Sequence, residues 1–427
     1  MRILDNRLAY TLLLWLLLPY ALIHLWWRSR KQPEYLQHID ERFGRYGAKC
    51  DKPVIWLHTV SVGETRAAAT LVKLLLERHP DHQLLLTHTT PTGRAASEQL
   101  YGDDVLRVYL PYDYPFAVRR FLEHFRPQVG VLLETEVWFN LIHESRRMEV
   151  PLLLLNARLS ERSANKYARF PHLVHEGLHN LSLIAAQTDS DAKRLSALCG
   201  HAVPVMGNLK FDIAPPPAQL EKGHQLRSLF GKTRPVFLAA STREGEEALL
   251  LEALRQAAVE NLLTVIVPRH PQRFDEVARL IEQKGFTLQR RSENQPVSPA
   301  TQVVLGDSMG EMFAYYAACD IAFIGGSLLP LGGQNLLEAL ACGKPVLVGP
   351  HTFNFSQATE LAIRAEAVLR IGDAEELMRR LNALIPDTAR MVQMGLNGER
   401  FVSENRGATE RAESLIDQYL SDSKLKL

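Results

Sequence analysis

The sequence is poor in most of the features that give a chemistry away cheaply. It has four cysteines, Cys50, Cys199, Cys319 and Cys342, and no two form a CxxC pair. That excludes a disulfide framework and a thiolate metal knuckle, and points to buried thiols in a reducing compartment. No grouping of His, Cys and Asp has metal-ligand spacing. There is no GxxxxGKS/T phosphate loop and no GxSxG elbow. Forty-nine Lys and Arg stand against 48 Asp and Glu, a net charge of +1. No global basic field therefore argues for a nucleic-acid partner. Low-complexity tracts and short repeats are absent. A length of 427 residues suggests more than one domain.

One stretch lacks charge altogether. Leu8 to Trp27 contains no Asp, Glu, Lys or Arg. About 20 helical residues span roughly 30 Å, the thickness of a bilayer core. Tyr10, Trp15, Tyr20, Trp26 and Trp27 supply interfacial aromatics. Arg2 and Arg7 precede the run, and Arg28, Arg30 and Lys31 follow it. The excess after the run favours a cytoplasmic body. No small-residue cleavage site follows, so residues 1–31 read as a retained anchor rather than a signal peptide. Pro19 and His24 leave open a helix lying partly in the interface.

Beyond the anchor, short apolar runs alternate with helical patterns. The runs are Val54–Leu57, Leu84–Thr87, Gln128–Leu133, Leu152–Leu155 and Leu183–Ala186. Helical patterns such as Arg66–Arg78 and Pro115–Phe125 lie between them. This is a βαβ series, hence a parallel sheet with helices on both faces. Pro215–Pro217 interrupt it. The rhythm restarts at Val236–Ala240, Leu263–Val267, Thr301–Leu305, Ile321–Ile324 and Pro345–Val348. Amphipathic helices, Ala374–Leu384 and Thr409–Leu420, close the chain. The division reads as an α/β domain at 32–213, a linker at 214–224 and a second α/β domain at 225–427. Two such halves place a cleft between the carboxyl ends of their sheets.

The stretch Ile321–Pro350 reads IAFIGGSLLPLGGQNLLEALACGKPVLVGP. It is strand, glycine loop, helix and strand. Glycines before a helix let a phosphate approach free backbone N–H groups. Glu338, three residues after Asn335, could accept sugar hydroxyls. The same pair is also a capping-box pattern, as are Ser61 with Glu64 and Ser308 with Glu311. Other polar clusters follow strands: HTVSVGE at 58–64, THTTPTGR at 87–94, ETEVWFN at 134–140, NARLS at 156–160, STRE at 241–244 and PRHP at 268–271. Glu134 and Glu136 could simply be paired with Arg158.

Taken in order, HTVSVGE, ETEVWFN, NARLSERS, GNLKFD, VPRHPQRF, GDSMGEM and GGQNLLEALACGKPVLVGP resemble the Kdo transferases of lipopolysaccharide synthesis, the 3-deoxy-D-manno-octulosonic acid transferases. The match runs to about Gly349 and loosens in the tail. One departure is Phe139, where the family usually has proline after Trp138. The resemblance implies a GT-B glycosyltransferase: two Rossmann-like domains, the first taking the lipid A precursor and the second CMP-Kdo. It implies inversion, with Glu64 as the general base and no metal or other cofactor. Arg269, His270, Asn335 and Glu338 would bind the donor, with Gly332 and Gly333 beside them. Met309 and Gly310 would line the base pocket. Ser61, Gly63, Arg66, Thr92 and Gly93 would serve the acceptor side, as would Glu134, Glu136, Arg158 and Lys210. Arg42 and Arg45, with Arg66, are candidates to meet lipid phosphates at the inner membrane. A GT-B enzyme using a UDP-sugar, or a tethered non-catalytic binder, is the competing reading.

Overall fold

The computed structural model describes residues 5–30, 32–47, 50–255 and 259–424. Arg2 and Lys31, counted above in the charged flanks, lie outside them. The chain forms two compact units, residues 1–212 with 406–427, and residues 213–405.

The first unit carries β1 (Val54–His58), β2 (Gln83–His88), β3 (Leu106–Tyr109), β4 (Pro127–Leu133), β5 (Leu152–Ala157) and β6 (Leu183–Ala186). Their order is β3-β2-β1-β4-β5-β6, parallel throughout. Every residue of β1 is buried, as expected of a central strand covered on both faces. On one face Trp56 packs on Phe121, ring centroids 4.8 Å apart. Gly130 in β4 makes room for it; a Cβ there would lie 2.5 Å from the indole. The indole N–H donates to Thr87 Oγ1 at 2.8 Å. On the other face Ile55 and Leu57 share a core with Leu71, Leu75 and Ile416.

The second unit carries β7 (Val236–Thr242), β8 (Leu263–Pro268), β9 (Leu288–Arg290), β10 (Val303–Leu305), β11 (Ile321–Ile324), β12 (Val346–Val348) and β13 (Val368–Arg370). Their order is β13-β12-β11-β7-β8-β10-β9, again all parallel.

Two boundaries differ from the sequence reading. The supposed linker at 214–224 is largely helical, because a helix runs from Pro217 to Phe230. Proline suits the first helical position, where its missing N–H costs nothing. The last helix, Ala408–Lys424, belongs to the first unit rather than the second. Ala408, Ala412, Ile416 and Leu420 enter the core beneath β1. Arg78 pairs with Glu413 at 2.6 Å, and Tyr419 Oη donates to the Ser182 carbonyl at 2.7 Å. The Asp212 carboxylate accepts the Gly407 and Thr409 N–H groups, fixing the point of return. The predicted helix Arg66–Arg78 is two helices, Val62–Ala67 and Ala69–Arg78. All four cysteines are free; Cys199 and Cys319 are buried, Cys50 and Cys342 only partly so.

Ile416 is fully buried in the first unit. Ile416→Ala should therefore lower stability by about 2–5 kcal/mol in denaturant titration. A helix that merely trailed from the second unit would give a change within about 0.5 kcal/mol.

Candidate active site

The first unit gathers acids beyond β1 and β4. Ser61 caps the short helix Val62–Ala67, and Glu64 sits in its first turn. Glu64 Oε2 accepts the Val60 N–H at 2.8 Å, and Oε1 accepts the Ser61 hydroxyl at 3.0 Å. Half of the expected capping box is present: the Ser61 hydroxyl accepts the Glu64 N–H, while the Glu64 carboxylate reaches past the N-cap to the Val60 N–H, which aims it. The Val60 carbonyl is itself held by Thr90 Oγ1 at 3.1 Å. Gly93 permits that approach, since a Cβ there would lie 3.1 Å from the same carbonyl. Burial pushes the Glu64 carboxyl above its ordinary range; the Val60 and Ser61 bonds and Lys210 oppose this, while Glu134 adds to it. Desolvation outweighs the hydrogen bonds that favour the charged form.

Glu134 does not depend on Arg158. Its carboxylate meets Lys210 at 2.9 Å, while Arg158 contributes a backbone N–H to the Glu134 carbonyl at 3.1 Å. Asn156 places Lys210. Its Oδ1 accepts the Leu209 N–H at 3.1 Å, one residue earlier. Glu134 and Asn156 both hold positive φ, 61° and 53°, so the chain turns sharply at these strand ends. Glu136 accepts the Trp138 indole N–H at 2.7 Å. Its carboxyl is pushed up to about 7, first by burial and then by the charges of Glu64 and Glu134, against the Trp138 bond.

His58 lies 3.9 Å from Glu136, but they do not form an ion pair. His58 is fully buried and its imidazole is pushed down to about 3 by burial and by His88. Its Nδ1 faces the Thr87 hydroxyl at 2.8 Å and the Thr87 carbonyl at 3.1 Å, while Nε2 faces Glu136 beyond hydrogen-bond distance. Thr92 and Arg66 are exposed, as is Gly63. Arg42 is not available to lipid: it is 4% exposed, donates to the Thr89 carbonyl and lies over the Tyr109 ring.

The second unit gathers cations beyond β7 and β8. The Arg269 N–H bonds the Thr242 carbonyl at 2.9 Å, and His270 begins the next turn. Burial lowers the His270 imidazole, with Arg243, Arg269 and Arg273 adding to the effect. Two buried acids that the sequence reading passed over organise this end. Glu247 takes a bidentate pair from Arg273 at 2.7 and 3.1 Å, and the Thr242 hydroxyl at 2.7 Å. Glu246 accepts the N–H groups of Gly326 at 2.6 Å, Arg243 at 2.9 Å and Leu328 at 3.0 Å. The only signal for them was adjacency: they follow STRE-Gly by one residue.

Glu246 also changes the meaning of the glycine loop. Gly326 and Leu328 spend their N–H groups on it, while Gly333 and Gln334 donate to the Gly326 and Gly325 carbonyls. The helix that follows is only Leu337–Ala341 and has no side-chain cap. The N–H groups of Gly326 and Leu328 are therefore not offered to a phosphate, and the capping box expected here does not form. Gly332 and Gly333 serve geometry, with φ of 93° and 74° and Asn354 against the former. Asn335 accepts the Leu337 N–H at 3.0 Å and donates to Glu338 Oε1 at 3.1 Å. Met309 is 58% exposed, and Gly310 at φ 75° has open space beside it. Ser308 donates to Glu311 at 2.6 Å, and Glu311 also pairs with Lys222.

Residues 37–213 match the 3-deoxy-D-manno-octulosonic-acid transferase (kdotransferase) family, and residues 231–401 match the glycosyl transferases group 1. The 3-deoxy-D-manno-octulosonic acid transferase of Bordetella pertussis is 43% identical, covering 97% of this chain and all of that one. That of Haemophilus influenzae is 40% identical, covering 97% and 99%. The chain belongs to the Kdo transferases. The fold is GT-B: Anabaena Alr3699/HepE, solved with UDP, superposes with a TM-score of 0.55 at 16% identity over 86% of this chain and all of that one.

Within this Kdo transferase, Phe139 opens the helix Phe139–Arg147 and packs edge-on against Tyr10, centroids 5.2 Å apart. The departure from proline thus touches the N-terminal helix, not the acids.

Glu136 binds a proton more tightly folded than unfolded, so its contribution to stability is complete below the unfolded carboxylate range and is lost as pH rises through about 7. Glu136→Gln should remove that loss. Melting temperatures at pH 5 and pH 8 should show the variant gaining on wild type at pH 8; an unchanged difference would refute the shift.

Proposed function

We propose that this transferase moves Kdo from CMP-Kdo to the lipid A precursor with inversion, on the cytoplasmic side of the inner membrane. The observation that carries the reading is the Glu64 carboxylate. It is held by two hydrogen bonds, and burial raises its proton affinity, in the half that matches the Kdo transferase family. A base must take the proton of the acceptor hydroxyl as its oxygen attacks the anomeric carbon. Such a base works best with a pKa moved toward the working pH.

The donor falls to the second unit. Arg269 and His270, with Arg243 close enough to lower the His270 imidazole, take the negative charge of the phosphate or of the Kdo carboxylate. The reading gives the charge of the departing CMP to these cations rather than to a metal. Asn335 orients Glu338 toward the ribose hydroxyls. Met309 and Gly310 flank the base. On the acceptor side, exposed Arg45 and Arg66 meet the lipid phosphates, near Thr92 and Arg158.

Mass spectrometry of a reaction between a tetraacylated lipid A precursor and CMP-Kdo tests the whole reading; product from a UDP-sugar instead would overturn it. Glu64→Gln keeps the shape and can still accept the Val60 N–H, but takes no proton. Turnover should fall about 100- to 10,000-fold with CMP binding near wild type. Retention of more than about a tenth of turnover would move the base to Glu136, the neighbouring acid of raised proton affinity. Glu338→Ala should cost about 1.5–3 kcal/mol in donor affinity by calorimetry for each charged bond lost. Its melting temperature should hardly move, because the helix start does not use Glu338 as a cap.

A further inference from the structure

The N-terminal helix, Arg7–Ser29, would be read by length and apolarity as crossing the bilayer. Its contacts say otherwise. One stripe at helical spacing, Arg7, Tyr10, Leu14, Leu18, Ala21 and Leu25, is shielded along the whole length, and Leu25 is buried. The start of the helix is bonded into the first unit. Asp5 accepts the N–H groups of His172 and Leu173 at 3.1 and 3.0 Å. Arg7 donates to Asn140 at 3.2 Å, and Tyr10 Oη donates to Asp113 at 2.9 Å. Asp113 is only 4% exposed, so this bond lies inside the unit. Further along, Tyr114 Oη donates to the Leu14 carbonyl at 2.7 Å, and Trp15 stacks on Phe116. The chain beyond the helix returns to the same unit: Arg42 donates to the Thr89 carbonyl and accepts the Tyr112 N–H through its own carbonyl.

The start of the helix and the chain that follows it therefore both join the same unit. A spanning helix must leave its ends on opposite sides, roughly 30 Å apart. Meanwhile the outer face is bare hydrocarbon: Leu8, Leu12, Leu16, Ile23 and Trp26 are each more than half exposed. A strip of this size does not face water in a stable soluble protein. Cations bound it. Arg28 and Arg30 stand at the far end, and exposed Lys166 and Arg169 lie just before Phe170, three to six residues from the His172 that Asp5 holds.

We propose that this helix lies in the plane of one leaflet of an anionic phospholipid bilayer, apolar face down, without crossing it. This deepens the membrane part of the reading above. The helix is then a keel rigidly joined to the acceptor unit, fixing that unit's height and tilt against the lipid surface. Phe139, the family departure, is part of the joint.

The native tryptophans test it. The full chain is bound to phosphatidylethanolamine–phosphatidylglycerol vesicles whose acyl chains carry bromine at a shallow or a deep carbon. W26F/W27F leaves Trp15 as the helix reporter, W15F leaves the pair, and the triple variant gives the background from Trp56 and Trp138. All three substituted positions are about half exposed, so folding is not at stake. Trp15 and Trp26 are about 16 Å apart along the axis. In-plane binding gives both the same shallow depth. Deep quenching of Trp15 with shallow quenching of the pair overturns the inference, and so does no quenching of either. An amino-terminal tag should resist protease in intact spheroplasts and be cut in inverted vesicles; cutting from outside overturns it too. Kdo transfer is assayed on the same vesicles. Transfer with a spanning profile would sink this inference alone, and a shallow profile without transfer would sink the reaction alone.

Discussion

A parallel sheet covered on both faces has nowhere but its ends for polar chemistry. In this chain β1 is wholly buried, and so is β11. Polar side chains along their length would have to be fully bonded in the core. The segments that follow β1, β2, β4, β5, β6, β8, β10 and β11 therefore collect the candidate residues. What distinguishes one strand end from another is how each buried charge is answered there.

The acids divide by that criterion. Glu246, Glu247 and Asp212 are saturated by backbone N–H groups or a bidentate arginine, and each holds a loop or a chain return in place. Removing one would leave its partners buried and unpaired, so their role is structural. Glu64 and Glu136 are answered less completely. Both sit where burial raises their hold on a proton. Under-answered carboxyls at a strand end are the ones able to do acid–base work.

The interior of both sheets was legible in the sequence, and so were the acids and cations after the strands. The misses follow from physics. The three strands not anticipated, β3, β9 and β13, are all edge strands; the fourth edge, β6, is mostly buried and was legible as an apolar run. An edge strand pairs on one side only and is less buried, so LRVY, LQR and VLR show no apolar run. The last helix reads as amphipathic, but an amphipathic face does not name the sheet it will cover. Glu246 illustrates the hardest case. A glycine loop before a helix looks like an anion site, yet whether its N–H groups are free depends on a glutamate 80 residues away in sequence. Likewise an apolar run long enough to span a bilayer does not reveal that its other face is bonded to Asp113 and Asn140.

The two units gather opposite charge at their strand ends, as the proposed exchange requires. The first sets Glu64 and Glu136 near Glu134, whose carboxylate meets Lys210. Burial makes Glu64 and Glu136 hold a proton more tightly, and the neighbouring carboxylate charge adds to it. Withdrawing a proton from a hydroxyl relieves repulsion there. The second unit sets Arg243, Arg269, His270 and Arg273 together, and the His270 imidazole is lowered first by burial and then by the three arginines. Arg273 has its charge answered by a buried acid, Glu247. An arriving phosphate relieves that repulsion in turn. The same electrostatic surplus that makes each end costly to fold is what each end offers to its share of the reaction.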